Sequence, residues 1–412
     1  MARNSKKSNN AKKSSLKKVF YLIIVIVLII VAEHTIINNG DTAKTKQSIL
    51  NIILEFFEID IDLNENTASQ DNEVKNAENE AFEDNNTSEK NNIDKIEAGN
   101  NSFDDSKLEI YFFDVGQADS ILLLTDNKSM LIDTGNAGDA TEKNTLTKDN
   151  INLTYELKRL GIEFIDILVA THPHEDHMGS MYKIINAFDI GDLYANNFGK
   201  DEIDKRYYDK FEEAMIAKNV HLVAPTTLTE KEIKAKIQEY NATLSPEEEK
   251  VVYDEKDYIR VGDIVNFGDA KLTLIAPNSA EYSDTNDYSL VFMLEFEGVK
   301  VLLTGDAGKE SEEEMINYAR NTGFDLDCDV LKVGHHGSRT ANTEEFIAMV
   351  KPEYSVIMVE EGNSYGLPDE DVIERLERHG SKIYYTMNEG DIKLIIDDGE
   401  YKFDFSYQHE EK

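Results

Sequence analysis

One short segment, His172-Pro-His-Glu-Asp-His177, constrains this chain more than any other part of its sequence. It follows an apolar, strand-like run. In extended backbone, residues two apart point the same way, so His172 and His174 can converge on one point. Pro173 favours extended backbone at His172, because the residue before a proline avoids the helical region. Asp176 and His177 add an oxygen and a nitrogen before a predicted helix, and this mixture of donors predicts a site for a divalent metal.

Four further stretches lie at the ends of predicted strands, where loops present functional groups. They are Asp114-Val-Gly-Gln-Ala-Asp-Ser120, Ile132-Asp-Thr-Gly135, Leu303-Thr-Gly-Asp306 and Val333-Gly-His-His-Gly-Ser338. Each alone indicates only a turn, because Asp and Gly are common turn residues. Together they supply the additional carboxylate and imidazole groups that the histidine segment lacks.

The order of these motifs resembles the metallo-β-lactamase fold superfamily over about residues 108–407. Within that range, the motifs at 114–120, 303–306 and 331–338 resemble the hydrolase domain of ComEC-type competence proteins. The resemblance implies an α/β fold, a four-layer αββα sandwich with a dinuclear metal site at one edge of the sheets. It also implies a metallohydrolase that uses a metal-activated water. The expected cofactors are two divalent ions, Zn or Mn, with a single ion as the alternative.

The resemblance implies a role for each matching residue. The implied metal ligands are His172, His174, Asp176, His177, Asp306 and either His335 or His336. His172 and His174 belong to the first metal, and Asp176 and His177 belong to the second. Asp306 bridges the two metals, and one of the two late histidines completes the second site. Asp176 and Asp306 are also the expected catalytic residues, Asp176 because its carboxylate could orient the water. Asp133, which matches an aspartate that supports the histidine segment, and Asp114 are expected to support the site without binding metal.

The sequence departs from the superfamily pattern at the first metal. In many of these hydrolases a further histidine completes that site, and the matching segment here is Thr285-Asn-Asp-Tyr-Ser289. Asn286 or Asp287 could assist the metal instead. His221 lies between the histidine segment and Asp306, and it is predicted to be an ordinary strand residue. The sequence therefore leaves open whether one or two metals bind.

Three residues beside the late histidines, Lys332, Ser338 and Arg339, could contact an anionic substrate. Solvation or helix capping is the alternative for each. Cationic groups here favour a phosphodiester substrate, either a nucleic-acid strand, a nucleotide or an envelope polymer. The alternatives are hydrolysis of a carboxylic ester, lactone or thioester, and a non-catalytic surface module whose metal only stabilises the fold.

The charge of the chain limits its partners. The formal charge is −38; residues 1–107 contribute −5 and residues 108–412 contribute −33. An acidic surface repels phosphate backbones over about 8 Å at physiological salt. Stable binding of duplex DNA is therefore not expected, although a metal in a cleft can attract an anionic substrate locally.

The N-terminal region predicts a membrane anchor. Residues 1–18 are a basic cytoplasmic leader, and residues 19–37 are apolar over most of their length, close to the roughly 20 residues that span a bilayer. Residues 38–107 are polar and predict a largely disordered linker, whereas residues 108–412 form the hydrolase domain. The predicted location is the cell membrane, with one span and an extracytoplasmic catalytic domain. Secretion after signal cleavage is the alternative.

Short β-rich runs alternate with helical patterns from residue 108 onward, which predicts a mixed α/β domain. In this pattern residues 259–267 predict one strand, and residues 382–386 predict the last strand of the chain. Residues 226–250 are rich in charge and predict an exposed helix inserted into the domain.

Overall fold

The structure is a computed structural model, and it describes residues 106–137, 153–196, 205–244 and 250–407. The predicted leader, anchor and nearly all of the predicted linker lie outside these ranges. Within them, no helix combines the length and the apolar character that a bilayer span requires.

The described residues form sixteen strands. In chain order these are β1 (Lys107–Phe112), β2 (Ile121–Thr125), β3 (Lys128–Ile132), β4 (Phe164–Ala170), β5 (Asp189–Ala195), β6 (His221–Pro225), β7 (Tyr258–Ile259), β8 (Ile264–Phe267), β9 (Ala270–Ala276), β10 (Val291–Phe296), β11 (Val299–Leu303), β12 (Val330–Lys332), β13 (Tyr354–Ile357), β14 (Lys382–Tyr385), β15 (Ile392–Asp397) and β16 (Glu400–Phe405).

The α-helices of the described residues connect these strands. They are α1 (Leu153–Arg159), α2 (Glu175–Met178), α3 (Met181–Ala187), α4 (Lys205–Lys218), α5 (Glu230–Asn241), α6 (Lys309–Thr322), α7 (Glu344–Val350), α8 (Glu370–Arg378) and α9 (Thr386–Glu389). Short 3₁₀ turns occur at Glu255–Asp257, Thr285–Tyr288 and Gly334–Gly337.

The strands form two mixed sheets. In the described part of the chain, the first sheet has nine strands in the order β16-β15-β1-β2-β3-β4-β5-β6-β7, and the second has seven in the order β14-β13-β12-β11-β10-β9-β8. Strands β3 to β7 run parallel to one another, as do β11 to β14. Within one sheet, the carboxyl ends of parallel strands lie at the same edge, which places the loops after β11 and β12 of the second sheet side by side. The loop after β4 belongs to the first sheet.

An apolar core fills the space between the two sheets. In β1, Leu108, Ile110 and Phe112 are fully buried and alternate with half-buried residues, as expected for a strand with one face on a core. They share one cluster with Leu272 and Leu274 of β9 in the second sheet. Each such side chain contributes about 1.5–3 kcal/mol when buried, which makes this core the main force that holds the sheets together.

Helices cover the outer faces of the sheets. On the second sheet, Met315 of α6, Phe346 of α7 and Leu376 of α8 share a buried cluster with Leu331 of β12. On the first sheet, α3 packs against α1, α4 and β5. The predicted α/β fold, with two sheets between helical layers, is confirmed.

Two strand predictions are corrected by the structure. Residues 259–267 do not form one strand, because the chain turns at Gly262 with φ +94° and enters the second sheet as β8. The strand predicted at 382–386 is confirmed as β14, but it is not the last strand, since the hairpin β15–β16 follows it and β15 pairs with β1. The inserted charged helix is confirmed as α5, which begins at a capping box of Thr229 and Glu232.

Candidate metal centre

The histidine segment leaves the end of β4 and enters α2. The backbone of His174 is extended, with φ −73° and ψ 154°, and its Nδ1 lies 3.0 Å from Nε2 of His172. The two rings therefore converge, as expected for residues two apart in extended chain. Asp176 and His177 follow in the first turn of α2, so the segment presents donor atoms from both its extended and its helical part.

Four donor groups from three loops converge beside this segment. Asp176, His177, Asp306 and His336 each offer an atom within 4.8 Å of the others. Nε2 of His336 lies 3.3 Å from Oδ2 of Asp176 and 3.7 Å from Oδ2 of Asp306. Nε2 of His177 lies 3.3 Å from the same oxygen of Asp306. The loop after β4 of the first sheet thus meets the loops after β11 and β12 of the second sheet.

The chemistry of this group fits a divalent metal. Two imidazole nitrogens and two carboxylates form the mixed set that zinc and related ions accept. Nε2 of His177 and Oδ1 of Asp306 are buried and have no hydrogen-bond partner, although buried polar atoms are nearly always satisfied. A cation between these side chains would satisfy them.

The other nitrogen of each histidine in this group is held by the protein. Nδ1 of His177 lies 2.7 Å from Oδ2 of Asp133, and Nδ1 of His336 lies 2.8 Å from the carbonyl oxygen of Met358. With the hydrogen on Nδ1 in each case, both Nε2 lone pairs face the centre. Metal-binding histidines are commonly oriented in this way.

Asp133 supports the histidine segment through several contacts. It is buried, it adopts φ +57°, and it accepts hydrogen bonds from the backbone nitrogen and the hydroxyl of Thr171 at 2.9 and 2.7 Å. The same carboxylate contacts His177. Burial raises the pKa of Asp133, although the adjacent His177 opposes this shift. The structure thus places Asp133 behind the donor group and not within it.

The electrostatics of the donor group favour ionised carboxylates. Burial alone would lower the pKa of His177, but Asp306 and Asp133 raise it well above its usual range. Burial would raise the pKa of Asp306, yet His177 and His336 hold it well below its usual range. The pKa of Asp176 is lowered in the same way, against burial, by His177 and His336. Metal binding would therefore release protons from imidazole groups.

The predicted site of the first metal, His172 and His174, has fewer close donor atoms than the four-residue group. Within the described residues, the groups of three or more close donors do not include His172 or His174. Nδ1 of His172 faces the hydroxyls of Thr171 and Ser289, at 3.2 and 3.4 Å. Burial, followed by the neighbouring His177, lowers the pKa of His172 well below its usual range, so the ring is neutral and able to bind metal.

The assistance to a metal from Asn286 or Asp287 stays a prediction, and the structure shows that Asp287 also has a structural role. Its carboxylate accepts hydrogen bonds from the backbone nitrogens of Gly308 and Ser311, at 2.9 and 3.0 Å, and so caps the start of α6. Oδ1 of Asn286 is buried without a hydrogen-bond partner. From the same segment, the hydroxyl of Ser289 accepts a hydrogen bond from the backbone nitrogen of Asp306 at 3.1 Å. Ser289 therefore links His172 to the Asp306 loop.

The structure adds Asp119, which was not among the predicted site residues, whereas the supporting role of Asp114 stays a prediction. The backbone nitrogen of Asp114 donates to Asp391 at 2.9 Å. Within the described residues, Asp114 is outside both the four-residue donor group and a second group of close donors, Asp119, Asp133 and His177. Asp119 is buried, and its carboxylate lies 3.5 Å from Nδ1 of His336 and 3.9 Å from Nδ1 of His177. The sequence feature that could have identified Asp119 is its position in the same motif, two residues before the buried strand β2.

The predicted substrate contact of Lys332 is also corrected. Lys332 is fully buried; its Nζ lies 2.5 Å from Oδ2 of Asp119 and donates to the carbonyl oxygen of Gly305 at 3.1 Å. It is 3.8 Å from Oδ1 of Asp306. The ammonium is therefore an internal counter-charge beneath the donor group and does not reach a bound substrate.

Ser338 and Arg339 are engaged with other protein groups. The hydroxyl of Ser338 lies 2.9 Å from that of Thr340, and Ser338 is only 7% exposed. The guanidinium of Arg339 is exposed and pairs with Asp369, whose carboxylate accepts from its Nε at 3.0 Å. His221 lies in β6 between Asp192 and Asp257, which agrees with an ordinary strand residue.

Comparisons with known proteins agree with this geometry. The family described as the Metallo-beta-lactamase superfamily matches residues 113–360, which is more than half of the chain. ComE operon protein 3 of Bacillus subtilis is 27% identical over 296 residues, 70% of this chain and 33% of that protein. Competence protein ComA of Neisseria gonorrhoeae is 24% identical over 295 residues, 72% of this chain and 33% of that protein. The chain thus spans about a third of the length of these relatives.

Among solved structures, Igni18, a metallo hydrolase from the archaeon Ignicoccus hospitalis, is similar with a TM-score of 0.36 and 14% identity. The similarity covers 73% of this chain and 100% of that one.

Proposed function

The chain belongs to the metallo-beta-lactamase superfamily and is a metal-dependent hydrolase, and on that premise we propose that it hydrolyses phosphodiester bonds at the outer surface of a cell membrane. The observation that carries this proposal is the group Asp176, His177, Asp306 and His336, which gathers two carboxylates and two imidazoles. We propose zinc or manganese as the metal, with one ion in this group and a second on the adjacent histidine pair.

The similarity to proteins named for competence supports a nucleic-acid strand or a nucleotide as the substrate. The motif resemblance at residues 303–306 and 331–338 supports the same choice. The acidic charge of the chain opposes stable duplex binding, so a flexible strand or a small phosphodiester is the proposed substrate class. The apolar segment at residues 19–37, with its basic leader, supports the proposed membrane anchor.

Asp176 is the residue proposed to handle the attacking water. Its side chain is 30% exposed, whereas those of His177 and Asp306 are at most 2% exposed. The lowered pKa of Asp176 keeps its carboxylate ionised, so it can accept a hydrogen bond from water at the open side. A bound divalent cation would lower the pKa of that water and offset charge on the phosphoryl oxygens.

Loss of His172, one of the two histidines proposed to hold the second ion, should strongly reduce the activity. The full chain, purified in detergent with Zn or Mn, is expected to hydrolyse bis(p-nitrophenyl) phosphate. The substitution His172→Ala should reduce the rate by about 100-fold or more, because metal ions supply several kcal/mol of transition-state stabilisation. His379→Ala is the matched control, since His379 pairs with Glu344 outside the donor group.

Two results would contradict this proposal: no nitrophenol released by the wild type with either metal, or a His172→Ala rate equal to that of the wild type. A parallel panel of carboxylic esters, lactones and thioesters tests the other bond class. Turnover of a carbonyl substrate without any turnover of phosphodiesters would support that alternative.

A further inference from the structure

We propose that His335 binds the substrate directly, donating a hydrogen bond from Nε2 to a phosphoryl oxygen, while its neighbour His336 alone binds metal. The identity of that oxygen rests on the proposed function. The division of roles between the two histidines stands on the geometry of their rings.

The rings of these adjacent histidines have different surroundings. His336 is 1% exposed, and its Nε2 lies 3.3 Å from Oδ2 of Asp176, inside the four-residue donor group. The side chain of His335 is 25% exposed, and its Nε2 lies 3.8 Å from Oδ2 of Asp306. His335 therefore faces the centre from its solvent side, where a substrate would enter.

The backbone explains why the two rings diverge. Both residues adopt left-handed conformations, with φ +48° at His335 and +51° at His336, which cost on the order of 1–3 kcal/mol each for residues other than glycine. The buried side chain of Asn342 holds the loop by accepting from the backbone nitrogen of Gly334 at 3.1 Å and donating to its carbonyl oxygen at 2.8 Å. In this conformation both Nε2 atoms lie near Oδ2 of Asp306, at 3.8 Å for His335 and 3.7 Å for His336, but only the His335 side chain is partly exposed, at 25% against 2%.

Two hydroxyl groups orient the His335 ring. Oγ1 of Thr340 lies 2.9 Å from Nδ1 of His335, and Oγ of Ser338 lies 2.9 Å from Oγ1 of Thr340. If Ser338 donates to Thr340, the Thr340 hydroxyl donates to Nδ1. A neutral imidazole has one donor and one acceptor nitrogen, so in that arrangement the hydrogen sits on Nε2, the nitrogen that lies 3.8 Å from Oδ2 of Asp306 at the donor group. Thr340 is a positioning residue in this arrangement.

His335 fills a role that the predicted cationic contacts do not. Lys332 is buried against Asp119, and Arg339 is paired with Asp369. A donor aimed at the position where charge develops on a substrate oxygen is worth about 10²–10³ in kcat.

The test compares substitutions at the two histidines in the full chain loaded with zinc. His335→Asn removes the Nε2 donor, and asparagine tolerates left-handed backbone better than most residues. His335→Gln retains an N–H group near that position, and His336→Asn removes the proposed ligand. Metal content is measured by elemental analysis, and kcat and KM with bis(p-nitrophenyl) phosphate. His379→Ala is again the control.

We expect His335→Asn to keep its zinc and to lose about 10²-fold in kcat with little change in KM. His335→Gln should recover part of that loss, whereas His336→Asn should lose zinc. Zinc loss in His335→Asn as large as in His336→Asn would identify His335 as a ligand and overturn the proposal. An unchanged kcat in His335→Asn would also overturn it.

A second readout separates this proposal from the proposed function. In ¹⁵N-histidine NMR of the zinc-loaded chain, His335 should carry its hydrogen on Nε2, and inorganic phosphate should shift that resonance. Thr340→Val should change the balance of the two tautomers. If the wild type hydrolyses no phosphodiester, the proposed function fails. The NMR result then still decides whether His335 contacts a phosphate oxygen. A resonance that phosphate does not shift contradicts the proposed contact.

Discussion

At the scale of single residues, Lys332 shows how burial changes the role of a side chain. As a lysine beside two histidines it suggests a contact for an anion, yet its ammonium is fully enclosed next to Asp119. Burial alone would lower the pKa of Lys332, but Asp119 and Asp306 raise it. Lys332 therefore stays charged at neutral pH and offsets carboxylates that would otherwise repel one another.

Removing only one partner of this ion pair should destabilise the protein strongly. Lys332→Met leaves Asp119 buried and unpaired, which should lower the free energy of unfolding by about 3–5 kcal/mol. The double variant Lys332→Met with Asp119→Asn should recover most of that loss, because the buried charge of Asp119 is removed together with that of its nearest partner. Urea unfolding followed by circular dichroism measures both. A single variant as stable as the double variant would show that the pair contributes nothing.

At the scale of secondary structure, elements set by their own residues are predicted more reliably than strand pairings set by distant residues. The helix α5 is recognised from its own residues, since Thr229 and Glu232 form a capping box at its start. The division of residues 259–267 between two sheets depends on which strands they meet. Gly262 permits the change of direction through its positive φ, but a glycine alone does not reveal that the chain changes sheets.

The hairpin β15–β16 was missed although its turn has a recognisable sequence. Asp398 and Gly399 adopt φ +55° and +74°, and an Asp-Gly pair between alternating segments favours a two-residue hairpin turn. The pairing of Lys107 with Asp397 joins opposite ends of the domain. Periodicity cannot predict a pairing across that distance.

Two substitutions in this turn should have unequal effects on stability. Gly399→Ala places a side chain at positive φ, where its Cβ would lie 3.3 Å from the carbonyl oxygen of Glu297, and should cost about 1 kcal/mol or more of unfolding free energy. Asp398→Gly relieves a positive φ and should be neutral or slightly stabilising. Urea unfolding of the two variants checks this, and equal effects would argue against the observed turn.

At the scale of the whole molecule, the net charge of −38 should govern access of nucleic acid. Repulsion between the acidic chain and a polyanion weakens as salt shortens the screening length, from about 30 Å at 0.01 M to about 8 Å at 0.15 M. Over that range, kcat/KM toward a single-stranded oligonucleotide should rise. The singly charged bis(p-nitrophenyl) phosphate is the control and should change less. A fall in kcat/KM with salt would instead indicate a basic binding path.

The sequence by itself determined the fold class and the chemistry of the site. The alternation of donors in His172-Pro-His-Glu-Asp-His177 follows from extended backbone that enters a helix, and these are local properties. Only the tertiary structure decided that Asp119 lies beneath the donor group, that Lys332 neutralises it, and that His336 is buried within the group while the His335 side chain is partly exposed beside it. The reason is physical: burial and distant partners set the charge and direction of a side chain, and neither is encoded in residue spacing.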